Sequence, residues 1–447
     1  MSNAKPMMKL GLNLVQNGTH HSAWRHPDAQ PGAALDFDTY AEMVKAAERQ
    51  KMHFLFLADG AGVRIDAKDN NQLSYHGNID RFEPLTLVSA LSAITKKIGF
   101  VCSASTTYNE PYSLARRLSS IDHISRGRAG WNVVTGWSEE EAKNFGFNRL
   151  MDHDERYDRA REFVEVVKGL WDSWDDDAFI RDKASGHYFD PEKLHVLNHK
   201  GKYYQVRGPL NLTRSPQGYP VLAQAGASGP GRALGASIAD MIYTAQTDLR
   251  EAQEFYRDMK ARTAAAGRDP ASILIMPGWM PILGSTEEEA HRKFDVMDAL
   301  TPEAVQMEHA TKLLGDLSEL GFDDPMPLPL PPSNGTQSLR NRVEEKLREK
   351  PMTVREVCKM MMSWFAHRAA CGTVEAVADK MQLWYESGAC DGFNLSPAYM
   401  PGPAFDFIDQ LVPELRRRGI FQSDYAGSTL RENLGLELKP NQFTRKA

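Results

Sequence analysis

A (β/α)8 TIM barrel of the α/β class, carrying long insertions after strands 4 and 7 and a C-terminal arm, is the fold the sequence predicts. Three observations predict it. Short apolar bursts alternate with amphipathic helical stretches along most of the chain, the pattern of a parallel sheet with helical crossovers. About eight such bursts occur, each trailed by a helix, which is the count of a closed barrel. The first burst is followed by Gln16-Asn17-Gly18-Thr19-His20-His21, whereas an open doubly wound sheet calls for a Gly-x-Gly-x-x-Gly turn there.

The elements follow in order. Lys9 to Val15 reads as the first strand, and Asp36 to Gln50 as a helix, with Phe37, Tyr40, Met43, Val44 and Ala47 at helical spacing and Asp36 as its cap. Phe54 to Leu57 is the second strand and ends at Ala58-Asp59-Gly60. Pro84 opens a helix through Thr95, Ile98 to Ser103 is the third strand, and Tyr112 to His123 is helical. Ala129 to Val134 is the fourth strand, and Asp154 to Trp171 a long amphipathic helix. Val221 to Ala225 and Met241 to Thr244 are strands five and six, followed by helices from Pro230 and over Glu251 to Ala266. Ile273 to Leu283 contains the seventh strand and Gly392 to Leu395 is the eighth, with a last helix over Phe405 to Arg418.

The chain has 447 residues, and a bare barrel needs about 250, so roughly 200 are insertions or extensions of one domain. Residues 172–218 form a polar, Tyr-bearing insertion with turn signals at Pro191, Gly201, Gly208-Pro209 and Pro216-Gln217-Gly218. Residues 301–372 form a second one, containing the proline-dense run from Asp324 to Pro332, and read as a lid. Residues 420–447 form the C-terminal arm. Arg181, Lys183, Arg340 and Arg342 in the insertions read as solvated surface charge, with pairing to substrate carboxylates as the other reading.

Hydrophobic residues make up 42% and charged residues 25%, which excludes a disordered chain, a collagen and a coiled-coil rod. A formal net charge of -6 provides no bulk pull toward nucleic acid or an anionic membrane. No apolar run approaches the ~18 residues of a membrane span, and no charged-then-apolar leader opens the chain. Cys102, Cys358, Cys371 and Cys390 form no Cys-x-x-Cys pair, so a reducing, cytoplasmic setting is expected.

Barrel enzymes place their sites on the loops after the strands. The turn Gln224-Ala225-Gly226-Ala227-Ser228-Gly229-Pro230 lets backbone N–H groups converge on a ligand oxygen ahead of a helix, an arrangement suited to phosphate. A plain strand-to-helix turn that needs glycine for its geometry is the other reading. Asn132 lies inside the fourth strand, where its amide must find partners, and Trp131 and Trp137 offer walls for a flat aromatic ligand; a core strand whose Asn bonds a neighbouring loop is the other, blander reading. Asp59 and Thr106-Thr107 follow strands two and three, where an Asx turn with Gly60 is the blander account of Asp59. His20, His21 and His26 crowd the first loop without completing a metal set. No Gly-x-Ser-x-Gly elbow is present.

Several segments then converge on one family. They are Ala23-Trp24-Arg25-His26, Phe54 to Gly60, Ser105-Thr106-Thr107-Tyr108, Gly127 to Thr135, His153-Asp154-Glu155-Arg156-Tyr157, Arg207 to Asn211, Gln224 to Ser228, Asp391-Gly392-Phe393 and Thr429-Leu430-Arg431. In this order they resemble the flavin-dependent monooxygenases of the bacterial luciferase-like superfamily, in the nitrilotriacetate monooxygenase, pristinamycin synthase and dibenzothiophene-sulfone monooxygenase branch. The resemblance implies FMN as cofactor, arriving as FMNH2 from a separate NAD(P)H:flavin reductase, and O2 as co-substrate through a flavin C4a-hydroperoxide that oxidises a small organic molecule. It implies that the phosphate rests on Ala225, Gly226, Ala227 and Ser228 with Tyr157 as a further donor, while Asp59, Thr106 and Asn132 meet the ring or ribityl polar atoms. Tyr425 to Leu436 resembles an arm that relatives pack against a neighbouring subunit, which implies a homodimer or homotetramer. Many relatives carry Ser at the position of Gly136, so oxygen activation is expected to fall to Thr135, His26, His20 or backbone amides. Gly136 also leaves open a catalytically silent flavin-binding protein of the same fold, and a deazaflavin-dependent oxidoreductase is the alternative enzyme on this barrel.

Overall fold

The computed structural model describes residues 7–63, 74–75, 77, 79–136, 138–333, 337–366 and 369–444. Trp137 lies outside the described residues, as does the side chain of Arg342. The strands are β1 (Lys9–Asn13), β2 (Phe54–Leu57), β3 (Gly99–Ser105), β4 (Ala129–Val134), β5 (His199–Lys200), β6 (Gln205–Val206), β7 (Val221–Gln224), β8 (Met241–Thr244), β9 (Leu274–Leu283), β10 (Ala369–Gly372) and β11 (Gly392–Leu395). Hydrogen-bonded neighbours run β9-β11-β1-β2-β3-β4-β7-β8, and the β8–β9 pairing closes the ring. All eight ring pairings are parallel, so the expected barrel forms.

Local chemistry starts the crossover helices where the sequence places them. The Asp36 carboxylate caps α1 (Phe37–Arg49) by accepting from the Asp38 amide at 3.1 Å. Glu83 caps α2 (Pro84–Ala93), with Pro84 in the first position where no N–H is required. Helix α3 (Pro111–Ser125) ends with Arg126 and Gly127 at positive φ. Ser138 caps α4 (Glu139–Asn144), which precedes α5 (His153–Trp171), and Ser228 caps α6 (Gly229–Ile238) by accepting from Gly231 N–H at 3.2 Å.

Apolar side chains form two concentric layers. The larger lies between sheet and helices and includes Leu10, Leu55, Phe100, Trp131, Leu222 and Phe393. The smaller fills the inside of the ring with Phe54, Phe56, Val101, Ala223, Met241 and Met276. Leu430, Leu434 and Leu436 join this inner cluster from the C-terminal segment. That part of the C-terminal segment closes the base of the barrel. Gly99 makes room for the plug, since a Cβ there would come within 2.4 Å of Leu430 Cδ1. A Thr429–Glu432 capping box starts the short plug helix Leu430–Leu434.

Three features lie beyond the sequence expectations. Strand β9 continues past the ring, and its Met280–Leu283 half pairs with β10, a strand whose Ala-Ala-Cys-Gly sequence lacks the β-branched residues that signal one. Residues 301–372 hold the helices Glu303–Leu314, Gln337–Glu349 and Val354–Ala366 around their own apolar cluster of Met307, Leu314, Leu330, Val343, Val357 and Met361. Arg340 is not solvated surface charge. Its guanidinium is buried and donates to the carbonyls of Leu314, Leu330 and Pro331, pinning the proline-dense loop.

Candidate functional site at the barrel mouth

The ring order sets the loops after β11, β1, β2, β3, β4 and β7 side by side around one end. The sequence-predicted residues therefore fall on one arc: His20 and His26 after β1, Asp59 after β2, Thr106 after β3, Asn132 and Thr135 on and after β4, and residues 225–228 after β7. Neighbouring loops are stitched together. Thr106 N–H and Oγ1 both donate to Val134 O, at 2.8 and 3.3 Å, and Thr107 Oγ1 donates to Thr135 O at 2.7 Å. Thr135, itself buried, directs its hydroxyl only weakly, toward Gly136 O at 3.5 Å.

Asn132 is paired in register with Ser103, and its Nδ2 donates to Ser103 Oγ at 2.8 Å. Its Oδ1 is buried with no hydrogen-bond partner. Two asparagines the sequence reading passed over do the same. Asn13 donates to Ser396 Oγ at 2.9 Å and leaves its Oδ1 unpartnered; Asn394 Oδ1, beside Gly11 on the adjacent strand, is likewise unpartnered. A buried amide oxygen without a donor costs about 1–3 kcal/mol, so such atoms mark places where a donor is expected to arrive. The signal was legible: Asn inside the apolar runs Lys9–Asn13 and Gly392–Leu395 repeats the anomaly of Asn132.

Asp59, Ser103, Ser105, Tyr108, Val134 and Glu141 line part of a cavity of about 220 Å³. Burial pushes the Asp59 carboxyl above its ordinary range; Glu83 and Glu141 add to that push, against the Gly60 amide and Arg81. Glu141 accepts from Ala61 N–H at 2.8 Å. Tyr108 stacks on Phe145 with ring centroids 4.8 Å apart and planes 11° from parallel. Its ring also accounts for Gly136, which has φ +72° and whose Cβ would lie 2.7 Å from Tyr108 Cε2. Backbone and space both demand glycine there.

At the β7 turn a Cβ on Gly226 would lie 2.4 Å from Gln224 Nε2 and 2.9 Å from the Tyr157 hydroxyl oxygen, so the close approach of Tyr157 to the main chain requires glycine. Ser228 Oγ lies 3.3 Å from His153 Nε2, a contact with no counterpart in the sequence reading. Residues 153, 156 and 157 share one face of α5 by helical spacing. Arg232 is committed elsewhere, donating to Ala227 O at 2.9 Å and to Asp258 at 2.9 Å.

The two histidines differ. His20 Nδ1 accepts from Ser22 N–H at 3.1 Å, which puts the proton of the neutral ring on Nε2; that atom is buried without a partner. Burial, reinforced by His21 and His26, holds its pKa down to about 3. His20 is therefore a neutral hydrogen-bond donor, not a base. His26 stacks on Tyr399 at 3.9 Å and 12°, with Nδ1 accepting from Asp28 N–H at 3.1 Å; burial lowers its pKa against the pull of Asp28. Ser22 Oγ donates to Thr301 Oγ1 at 2.8 Å, fastening the first loop to the second insertion.

The profile of the luciferase-like monooxygenases matches residues 17–391. N-acetyl-S-(2-succino)cysteine monooxygenase of Bacillus subtilis (strain 168) is 48% identical over the full length of both chains. Nitrilotriacetate monooxygenase component A of Aminobacter aminovorans is 42% identical over 99% of each chain. Among solved structures, DmoA from Hyphomicrobium sulfonivorans superposes with a TM-score of 0.87 at 33% identity, covering 99% of this chain and 97% of its own.

Proposed function

The chain belongs to the luciferase-like monooxygenase family, and from that premise we propose that it is the oxygenating component of a two-component, FMN-dependent system acting on a small organic substrate. The observation that carries the reading is the pairing of an amide cradle at Gly226–Ser228 with the unpartnered oxygen of Asn132 on the same arc of the mouth. The cradle fits a phosphate ester at a helix N-terminus, and Asn132 Oδ1 fits a flavin N–H or ribityl hydroxyl.

On this reading Ala225, Gly226, Ala227 and Ser228 hold the ester with Tyr157, and Asp59 and Thr106 join Asn132 at the polar edge of the ring and chain. Reduced flavin, when bound, supplies the reaction with O2 that delivers one oxygen atom to the substrate. The protein orients the ring, excludes water and presents donors. His20 Nε2–H donates toward the substrate side, Thr135 offers a hydroxyl beside Gly136, and His26, stacked on Tyr399, shapes the first-loop wall. A separate NAD(P)H:flavin reductase delivers FMNH2, in keeping with the word "component" in the name of the Aminobacter relative. The two relatives above act on a thioether and an amine, each bearing carboxylates, so a heteroatom-containing organic acid is the substrate class proposed.

Anaerobic titration with reduced FMN, followed by oxygen and a panel of thioether and amine carboxylates, tests the reading. Saturable FMNH2 uptake and oxygen consumption coupled to product are expected. Uptake with reoxidation and no product from any acid, thioether or amine would leave a silent flavin binder. Absence of FMN uptake would sink the proposal and favour a deazaflavin.

A further inference from the structure

We infer that Asn13 and Asn394 form an acceptor pair that binds an N–H-bearing nitrogen of the substrate, as ammonium or amide; this rests on the function proposed above and narrows its substrate class. Strands β11 and β4 are separated by β1, β2 and β3 in a ring of eight, and so stand opposite each other. Asn394 therefore faces the lumen from the wall opposite Asn132, the side left for a substrate once a flavin edge rests against β4. Gly11 and Asn13 pair in register with Phe54 and Phe56, which fill the inside of the ring, and Gly11 pairs with Asn394. All of them point into the barrel.

Asn13 is 4% exposed and Asn394 1%. Glycine stands on both sides of Asn394, Gly11 on β1 and Gly278 on β9. A Cβ at Gly11 would lie 2.7 Å from Asn394 Oδ1, so the amide oxygen takes the space that glycine leaves, one inward-facing position before Asn13. Asn13 is held through its Nδ2, which donates to Ser396 Oγ at 2.9 Å. Neither Oδ1 has a hydrogen-bond partner among the described residues. Phe56 and Tyr243 stack across the lumen with ring centroids 5.4 Å apart, and the Tyr243 hydroxyl lies over Gly278. This aromatic pair keeps the two oxygens in apolar surroundings, where an acceptor without a donor is costly. An ionised carboxylate and a thioether sulfur have no donor to offer, whereas an ammonium or an amide N–H does.

Thioether acids built on one skeleton test the pair: S-(carboxymethyl)cysteine, its N-acetyl derivative, the nitrogen-free (carboxymethylthio)propanoic acid and the corresponding hydroxy acid. Two quantities are read for each, calorimetric affinity for the protein with oxidised FMN present and kcat/KM from coupled oxygen consumption. The wild type is expected to favour an N–H-bearing acid over the nitrogen-free one by about tenfold or more, and the better of the two tells ammonium from amide. In Asn13→Leu, close in volume, that preference is expected to shrink to within about twofold while the nitrogen-free acid binds as before or better. Asn394→Leu carries the same expectation and serves where Asn13→Leu does not fold. Equal weakening of all the acids in a folded variant would overturn the inference and reduce the pair to a wall of the lumen. A wild type that does not distinguish the nitrogen-free acid, that prefers the hydroxy acid, or that binds none of the acids would overturn it too. An N–H preference in binding without any oxygen use would instead sink the oxygenase reading and leave this one standing.

Discussion

Arg128, at the base of the barrel just before β4, is buried and spends its guanidinium N–H groups on protein oxygens: Nε on Ser125 O, Nη1 on Thr95 Oγ1 and Ile98 O, and Nη2 on Ser92 O and Thr95 O, all between 2.6 and 3.0 Å. Arg156, on α5 with its Nη1 on the Gly136 carbonyl beyond β4, is buried nearly as well and leaves its Nε idle. The contrast is one of degree around each end, since His53 Nε2 and Asn433 Nδ2 at the base are unpartnered too. At the base, Asp122 accepts from Ala129 N–H, Gln217 Nε2 and the Ser215 hydroxyl, and Arg431 pairs with Asp240 at 2.7 Å. At the mouth, Asn13, Asn132, Asn394 and His20 each keep a buried polar atom without a partner. Satisfied networks stabilise a fold, whereas unsatisfied ones are tolerated where a ligand completes them.

The comparison breaks first at its largest expected effect. Arg431→Met leaves buried Asp240 with only the longer 3.9 Å ion pair to Lys439, so denaturant unfolding should show a loss of about 3 kcal/mol while flavin affinity of the folded protein is retained. A loss under about 1 kcal/mol would mean that the base network is not what stabilises the ring. The converse substitution is Asn132→Leu at the mouth. It removes an unpartnered oxygen at similar volume, so FMN binding should weaken about tenfold or more, with stability unchanged or higher. Weaker stability with intact FMN binding would reverse the reading of the two ends.

Acid sharpens the same contrast. Burial pushes the Asp240 carboxyl up, but Arg431 beside it, with the Leu222 amide and Lys439, outweighs burial and holds it below its ordinary value of 3.8. Its stabilisation is present above that value and is lost only as pH falls through the lower folded value. His20 behaves differently, because its folded pKa of about 3 lies below the ordinary 6.5. The unfolded chain binds the extra proton, so stability falls with pH between 6.5 and about 3, at roughly 1 kcal/mol per unit. His53 is pulled down by burial as well and adds to that slope. His20→Phe should make the slope shallower by about one proton; an unchanged slope would show that His20 is not held neutral. The smallest effect belongs to Asp59, whose raised carboxyl costs stability above its ordinary 3.8. Asp59→Asn is expected to raise the melting temperature slightly at neutral pH and to weaken flavin binding, and a lower melting temperature would contradict it.

The strands and most crossover helices were legible because each is written in local chemistry: a buried apolar run, a cap such as Asp36 or Ser228, a proline in a first helical turn. The turn after β7 was legible as a capped helix start, since serine and proline ahead of a helix act locally. Strand β10 escaped notice because Ala369–Gly372 becomes a strand only by joining the free half of β9. The destination of residues 430–434 escaped for the same reason, since nothing local to Leu430 says that Gly99 will make room for it.

By itself the sequence determined the ring of eight parallel strands, the family and the arc of loops on which the site residues stand, because periodicity, capping and turn chemistry act over a few neighbouring positions. Which polar atoms are spent and which are left waiting was decided only in three dimensions. Arg128 and Arg156 are the same residue type 28 positions apart in one chain; apart from Ser125 O, the oxygens that saturate Arg128 come from residues 92–98, and only packing brings them within hydrogen-bond reach.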